Sequence, residues 1–282
     1  MKLYKQSDEV ILQPSMEQFN EYCQTASVIS AESLSYYYYK IKDTFSNVLS
    51  TLVHSYNDKI VKDVLSNKYS AEHAIKRLKF VDVKDFIVIK PENFKGKYVD
   101  YVDDLILVST ELVTNTEFTL NNLKIAISTF INEYNDSKVN SLYGNTYFKE
   151  ASSITKKSIN KISTYFPKPN KGVKAPIEDL LKSLNDIPSI YSSIETLDKI
   201  LNQDKLNSIN KLAIEAAELV DVLIEQSNSS SLVNNSSTKT ELVNSLYISA
   251  KEIEAVAYLY SNAVFFYSSF NELTKFLISK NK

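Results

Sequence analysis

Apolar residues recur at steps of three and four over the first quarter of the chain: Phe19, Tyr22, Cys23, Ala26, Ile29, Leu34, Tyr37, Ile41, Phe45, Val48, Leu52, Tyr56, Ile60 and Val64. This is the spacing of one face of an α-helix. No glycine or proline interrupts it between Met16 and about Asn67. Ser15 stands as an N-cap after Pro14, with Gln18 at the third helical position of a capping box. The pattern predicts one long bundle helix, or two helices broken near Ser30 to Ser35. Ser70 then caps a short helix with Glu72 in its first turn.

A second long stretch runs from Tyr98 to Asn135, with Val102, Leu105, Val108, Leu112, Leu120, Leu123, Ile127 and Phe130 on one stripe and a kink expected at Thr114 to Thr119. After a break at Ser141 to Gly144 another helix is predicted as far as about Tyr165. Beyond Pro176 the pattern predicts helices at about 176–185, 188–203 and 205–227. A polar Ser/Asn loop follows at 228–237, then a last helix from about Thr238. Residues 255–267 are apolar on every face, the mark of a helix at the centre of its bundle.

One segment breaks the helical period. Phe80 to Lys90 alternates, is rich in β-branched residues and ends at Pro91, so a strand is predicted at about 80–89. An isolated strand needs a partner. The candidates are Glu9 to Leu12, another subunit, or none.

Composition sharpens this picture. The chain has 282 residues with only three glycines and six prolines. Glycine supplies tight turns and phosphate-cradling loops, so few turns and no glycine-built site are expected. The fold class is all-α, a bundle of long amphipathic helices with at most one short β segment. The run from Pro167 to Pro176 holds three prolines and a glycine and reads as a linker. It would divide an N-terminal helical part, 1–166, from a C-terminal one, 177–282. No repeat of solenoid period occurs.

With a net charge of −2 the chain is neither polycationic nor polyanionic. A single cysteine, Cys23, excludes an internal disulfide. Val10-Ile11-Leu12 falls short of a signal-peptide core, and no run approaches the ~20 apolar residues of a membrane span. A cytoplasmic or virion location is expected. Arg77 is the one arginine, tryptophan is absent, and Asn, Ile, Lys, Ser and Tyr abound, as an AT-rich genome encodes. Arginine forks for bidentate phosphate or carboxylate recognition are correspondingly scarce.

Candidate chemistry is sparse. His54 and His73 lack the Glu-x-x-His spacing of a bundle di-metal site. Asp100, Asp103 and Asp104 cluster near a helix start, where the helix dipole alone favours carboxylates, and the glycine and terminal glutamate of a calcium loop are missing. Cys23 lies on an apolar stripe, where a free thiol behaves as a small hydrophobe. No nucleophile elbow, phosphate loop, dinucleotide fingerprint or zinc spacing is present. No catalytic residue, cofactor, metal or small-molecule substrate is therefore expected.

Two features point to surfaces instead. Tyr36, Tyr37, Tyr38 and Tyr39 cover every face of one helical turn, and tyrosine is enriched at protein interfaces. From Lys149 to Lys174 seven lysines face one acid, whereas 176–226 holds ten acids and four lysines. Lys156, Lys157, Lys161, Lys168, Lys171 and Lys174 are candidates for an anionic surface such as nucleic acid, unless they form a solvated face or dock on the acidic half.

The expectation is a non-enzymatic structural or assembly protein working through protein partners or self-association, a phage particle or assembly component among them. The alternatives are a membrane-active helical protein hiding 255–267, and a nucleic-acid-associated protein using the lysine stretch.

Overall fold

The computed structural model describes residues 58–92, 94–135, 166, 172–228 and 236–281. They form helices α1 (Asp58–Ser66), α2 (Lys68–Ile75), α3 (Tyr98–Asn135), α4 (Ile177–Leu180), α5 (Asp186–Ile200), α6 (Gln203–Asn228) and α7 (Ser236–Lys280). The two strands are β1 (Ile87–Pro91) and β2 (Gly172–Pro176). The described residues are mostly helical with one short two-stranded sheet, in keeping with the all-α class.

Two helices organise the rest. The predicted stripe of α3 is its inner face: Val102, Leu105, Leu112, Leu120, Leu123 and Ile127 are fully buried and Val108 nearly so. The side chain of Phe130 lies outside the described residues. The helix runs without interruption through Thr114 to Thr119, where Thr116 Oγ1 donates to the Leu112 carbonyl at 2.8 Å. Helix α7 lies antiparallel to α3. Tyr98 meets Ser269, Tyr101 meets Asn262 and Thr119 meets Glu252, so rising numbers on one face falling numbers on the other. From Glu252 to Tyr267 no residue of α7 is exposed. The all-round apolar run at 255–267 is thus the centre of the bundle, which is where a helix without a polar face is stable.

Helices α5 and α6 form one interrupted rod running in the same direction as α3. Ser193 reaches Asp103, Lys205 pairs with Glu117 and Lys124 pairs with Glu215, so partner numbers rise together. The rod breaks at Leu201–Asn202. There Asn202 Oδ1 accepts the Lys205 N–H at 2.9 Å, an N-cap that starts α6. The Asn202 carbonyl accepts the Tyr260 hydroxyl at 3.1 Å, which ties the break to α7.

The β element departs from expectation. Phe80–Asp82 is a 3₁₀ turn, and Val83 N–H to Phe80 carbonyl and Phe86 N–H to Val83 carbonyl continue the turning. These closures bury Val83 while leaving Val81 exposed. The strand begins only at Ile87. Its partner is β2, antiparallel, with Val88 opposite Ala175 and Ile89 opposite Lys174. Residues 172–176, read from sequence as the end of a linker, are therefore half of the sheet. The expected helix at 176–185 is reduced to the single turn of α4.

The sheet packs on the C-terminal end of α7. The Phe86 and Phe276 rings stack at 3.5 Å between centroids, and the Ile89 N–H reaches a Glu272 carboxylate oxygen at 3.5 Å. Any side chain at Gly172 would overlap Ile89 and press on Phe265, so β2 needs glycine at that crossing. One buried cluster runs from Val61 through Phe166 to Ala175, Tyr191 and Leu277. Residues on both sides of the expected boundary at 167–176 thus share a core.

Candidate functional site

The outward face of α3 is the feature most unlike an ordinary solvated surface. From Tyr98 to Leu123 the helix holds five acids and no lysine or arginine. Glu117 turns sideways to Lys205, at 3.0 Å. The other four, Asp100, Asp103, Asp104 and Glu111, are exposed on the side away from the core. The same face carries three large apolar side chains, one among the acids and two beyond them: Leu107 is 56% exposed, Phe118 49% and Ile125 64%. Steps of eleven and seven residues bring these three to within about 20° of one line on a helix of 3.6 residues per turn. An open depression beside Leu107 is lined by Asp103, Ile106, Leu107, Thr110 and Glu111, an apolar floor with a carboxylate on either side.

Among the described residues little neutralises this face. Asp100 has Lys182 Nζ at 3.8 Å, and the Asp103 carboxylate accepts the Ser193 hydroxyl at 3.1 Å. Asp104 and Glu111 have no ion-pair partner among the described residues. The flank toward α6 is tied down. Lys124 pairs closely with Glu215 and, as a hydrogen-bond donor, holds that carboxyl below its usual range.

Behind the face the bundle changes character along its length. Near the sheet it is aromatic. Tyr98, Tyr101, Phe94, Phe166, Phe266 and Phe270 make edge, tilted and stacked ring contacts at 4.4–6.1 Å. Burial pushes the Tyr98 and Tyr101 phenols well above their ordinary range, and Tyr191 up to about 12. Further along, where α3 and α7 face each other, Thr119 donates to the buried Glu252 carboxylate at 3.3 Å. A buried carboxylate is costly unless polar groups compensate its lost hydration, and the Thr119 hydroxyl supplies one such contact.

The sequence candidates are distributed otherwise. Tyr36, Tyr37, Tyr38, Tyr39, Cys23 and His54 lie outside the described residues, as do Lys156, Lys157, Lys161, Lys168 and Lys171. Lys174 is exposed on β2 opposite Ile89. His73 is exposed on α2. Asp100, Asp103 and Asp104 are exposed at the start of α3, and no group of side chains able to hold a metal ion occurs among the described residues. No helix among the described residues is long and apolar enough to cross a membrane.

Sequence reasoning missed Leu107, Phe118 and Ile125. The stripe facing the core accounted for the helix, and a second apolar line opposite it was left unread. Its signal is the seven- and eleven-residue spacing on a helix that carries no base before Lys124. The chain matches no protein-family model, and no curated protein or solved structure was found that resembles it.

Proposed function

We propose that this protein is a non-enzymatic structural or assembly subunit that acts by binding other protein surfaces, of the kind that builds or helps to assemble a larger particle. The observation that carries this reading is the outward face of α3. Leu107, Phe118 and Ile125 stand in line on one rigid helix rather than scattered singly. Single exposed apolar residues are ordinary, and we read the alignment of three on one face, with carboxylates beside Leu107, as a surface that another protein covers. Long helices anchored on the buried α7 hold that line straight.

Light scattering on the purified chain, at low and high salt, tests the reading. A defined multiple of 32.1 kDa, or a stoichiometric complex with a partner captured from the native source, is the expected result. A 32.1 kDa monomer at both salts that captures no stoichiometric partner would refute it.

A further inference from the structure

The outward face of α3 has a heptad register. With Asp104, Glu111, Phe118 and Ile125 at one seam position, Leu107, Thr114 and Asn121 fall at the other, and all seven are exposed. Coiled-coil seams are built on this spacing, and of these seven positions three are apolar, Leu107, Phe118 and Ile125, and four polar. The seam spans about 32 Å at 1.5 Å per residue, enough for about three heptads. It is graded: the two carboxylates are in its first half, and Phe118 and Ile125 in its second.

We propose that this seam docks an amphipathic helix of a protein partner that carries lysine or arginine at the seam positions of one end and large apolar residues at the other. This names the partner chemistry for the protein-binding reading above and rests on that reading. The commitment to a cationic helix follows from charge. Asp104 and Glu111 lie on a face with Asp100 and Asp103 and without a basic residue of α3 before Lys124. Phosphate backbones and anionic lipid surfaces are repelled by that potential, whereas complementary charge steers and registers a cationic partner. The straight line of contacts fits a second helix at a shallow crossing angle, the geometry in which seam side chains interdigitate.

The test uses the full chain and two synthetic helical peptides of about three heptads. One carries Lys at the two seam positions of one end and Leu at the others, and the second carries Glu in place of Lys. Fluorescence anisotropy should give micromolar binding of the Lys peptide and binding of the Glu peptide weaker by about tenfold or more. The variant Asp104→Lys/Glu111→Lys should invert that preference. The variant Leu107→Ser/Phe118→Ser should weaken binding of the Lys peptide by about thirtyfold. All substitutions are at exposed positions, and circular dichroism verifies the fold.

No binding of either peptide, a preference indifferent to the charge reversal, or binding indifferent to Leu107→Ser/Phe118→Ser would each overturn the proposal. If any of these occurs while light scattering still gives a defined assembly, the seam proposal fails and the broader reading stands. If the assembly is absent as well, both fail.

Discussion

Helices α3 and α7 lie side by side, antiparallel, and are the two longest helices described, at 38 and 45 residues. Yet they present opposite surfaces to solvent. Over sixteen consecutive positions, 252–267, every residue of α7 is buried or only partly exposed, whereas α3 has at least one exposed residue in every turn from Asp100 to Ile125. The difference lies in what the neighbours cover. Phe266 on α7 meets Tyr98, Tyr101, Tyr267 and Phe270, so its apolar character is spent on folding. On α3 the buried stripe runs from Tyr98 to Ile127. The second line, Leu107, Phe118 and Ile125, lies outside that stripe and is about half exposed.

The sharpest way to break this comparison is to truncate one aromatic on each helix. Phe266→Ala opens a cavity in the aromatic cluster and is expected to cost about 3–5 kcal/mol in denaturant unfolding. Phe118→Ser, half-exposed on the outer face, is expected to stay within about 0.5 kcal/mol. A similar loss from both would mean that the outer line is part of the core after all.

Alkaline titration sharpens the inner half of the contrast. Tyr98, Tyr101 and Tyr191 have phenols raised by burial above the ordinary value of 10.0. Because the folded-state values are raised, the unfolded chain loses its phenolic protons first. Stability is therefore level with respect to these groups below pH 10 and falls as pH rises beyond it. The slope is up to about 1.4 kcal/mol per pH unit for each tyrosine that ionises only on unfolding. A stability curve that is level from pH 9 to 11.5 would contradict their burial.

How far the amino-acid sequence foretells this molecule differs by element. The inner stripe of α3 and the buried run at 255–267 are legible because helical burial is periodic and local. The sheet is not. Strand β2 carries Gly172 and Pro176, both disfavoured in strands, and is stabilised by a partner more than eighty residues earlier in the chain, with Ala175 buried opposite Val88. Phe80 to Phe86 alternates like a strand, but successive turn hydrogen bonds claim it first. The outer seam was concealed for another reason. Its heptad is diluted by Asp104, Glu111, Thr114 and Asn121, so no hydrophobic count flags it. Only the knowledge of which face is already buried separates it from scattered surface residues.

On the proposed reading, another protein covers the outer face of α3. Carbodiimide labelling of Asp104 and Glu111, read by mass spectrometry in the isolated chain and in its assembly, tests this most directly. Glu178 and Asp179, exposed on α4, serve as the reference. The account predicts that all four carboxylates react in the isolated chain and that only Asp104 and Glu111 become protected in the assembly. Equal reactivity of Asp104 and Glu111 in both states would contradict it.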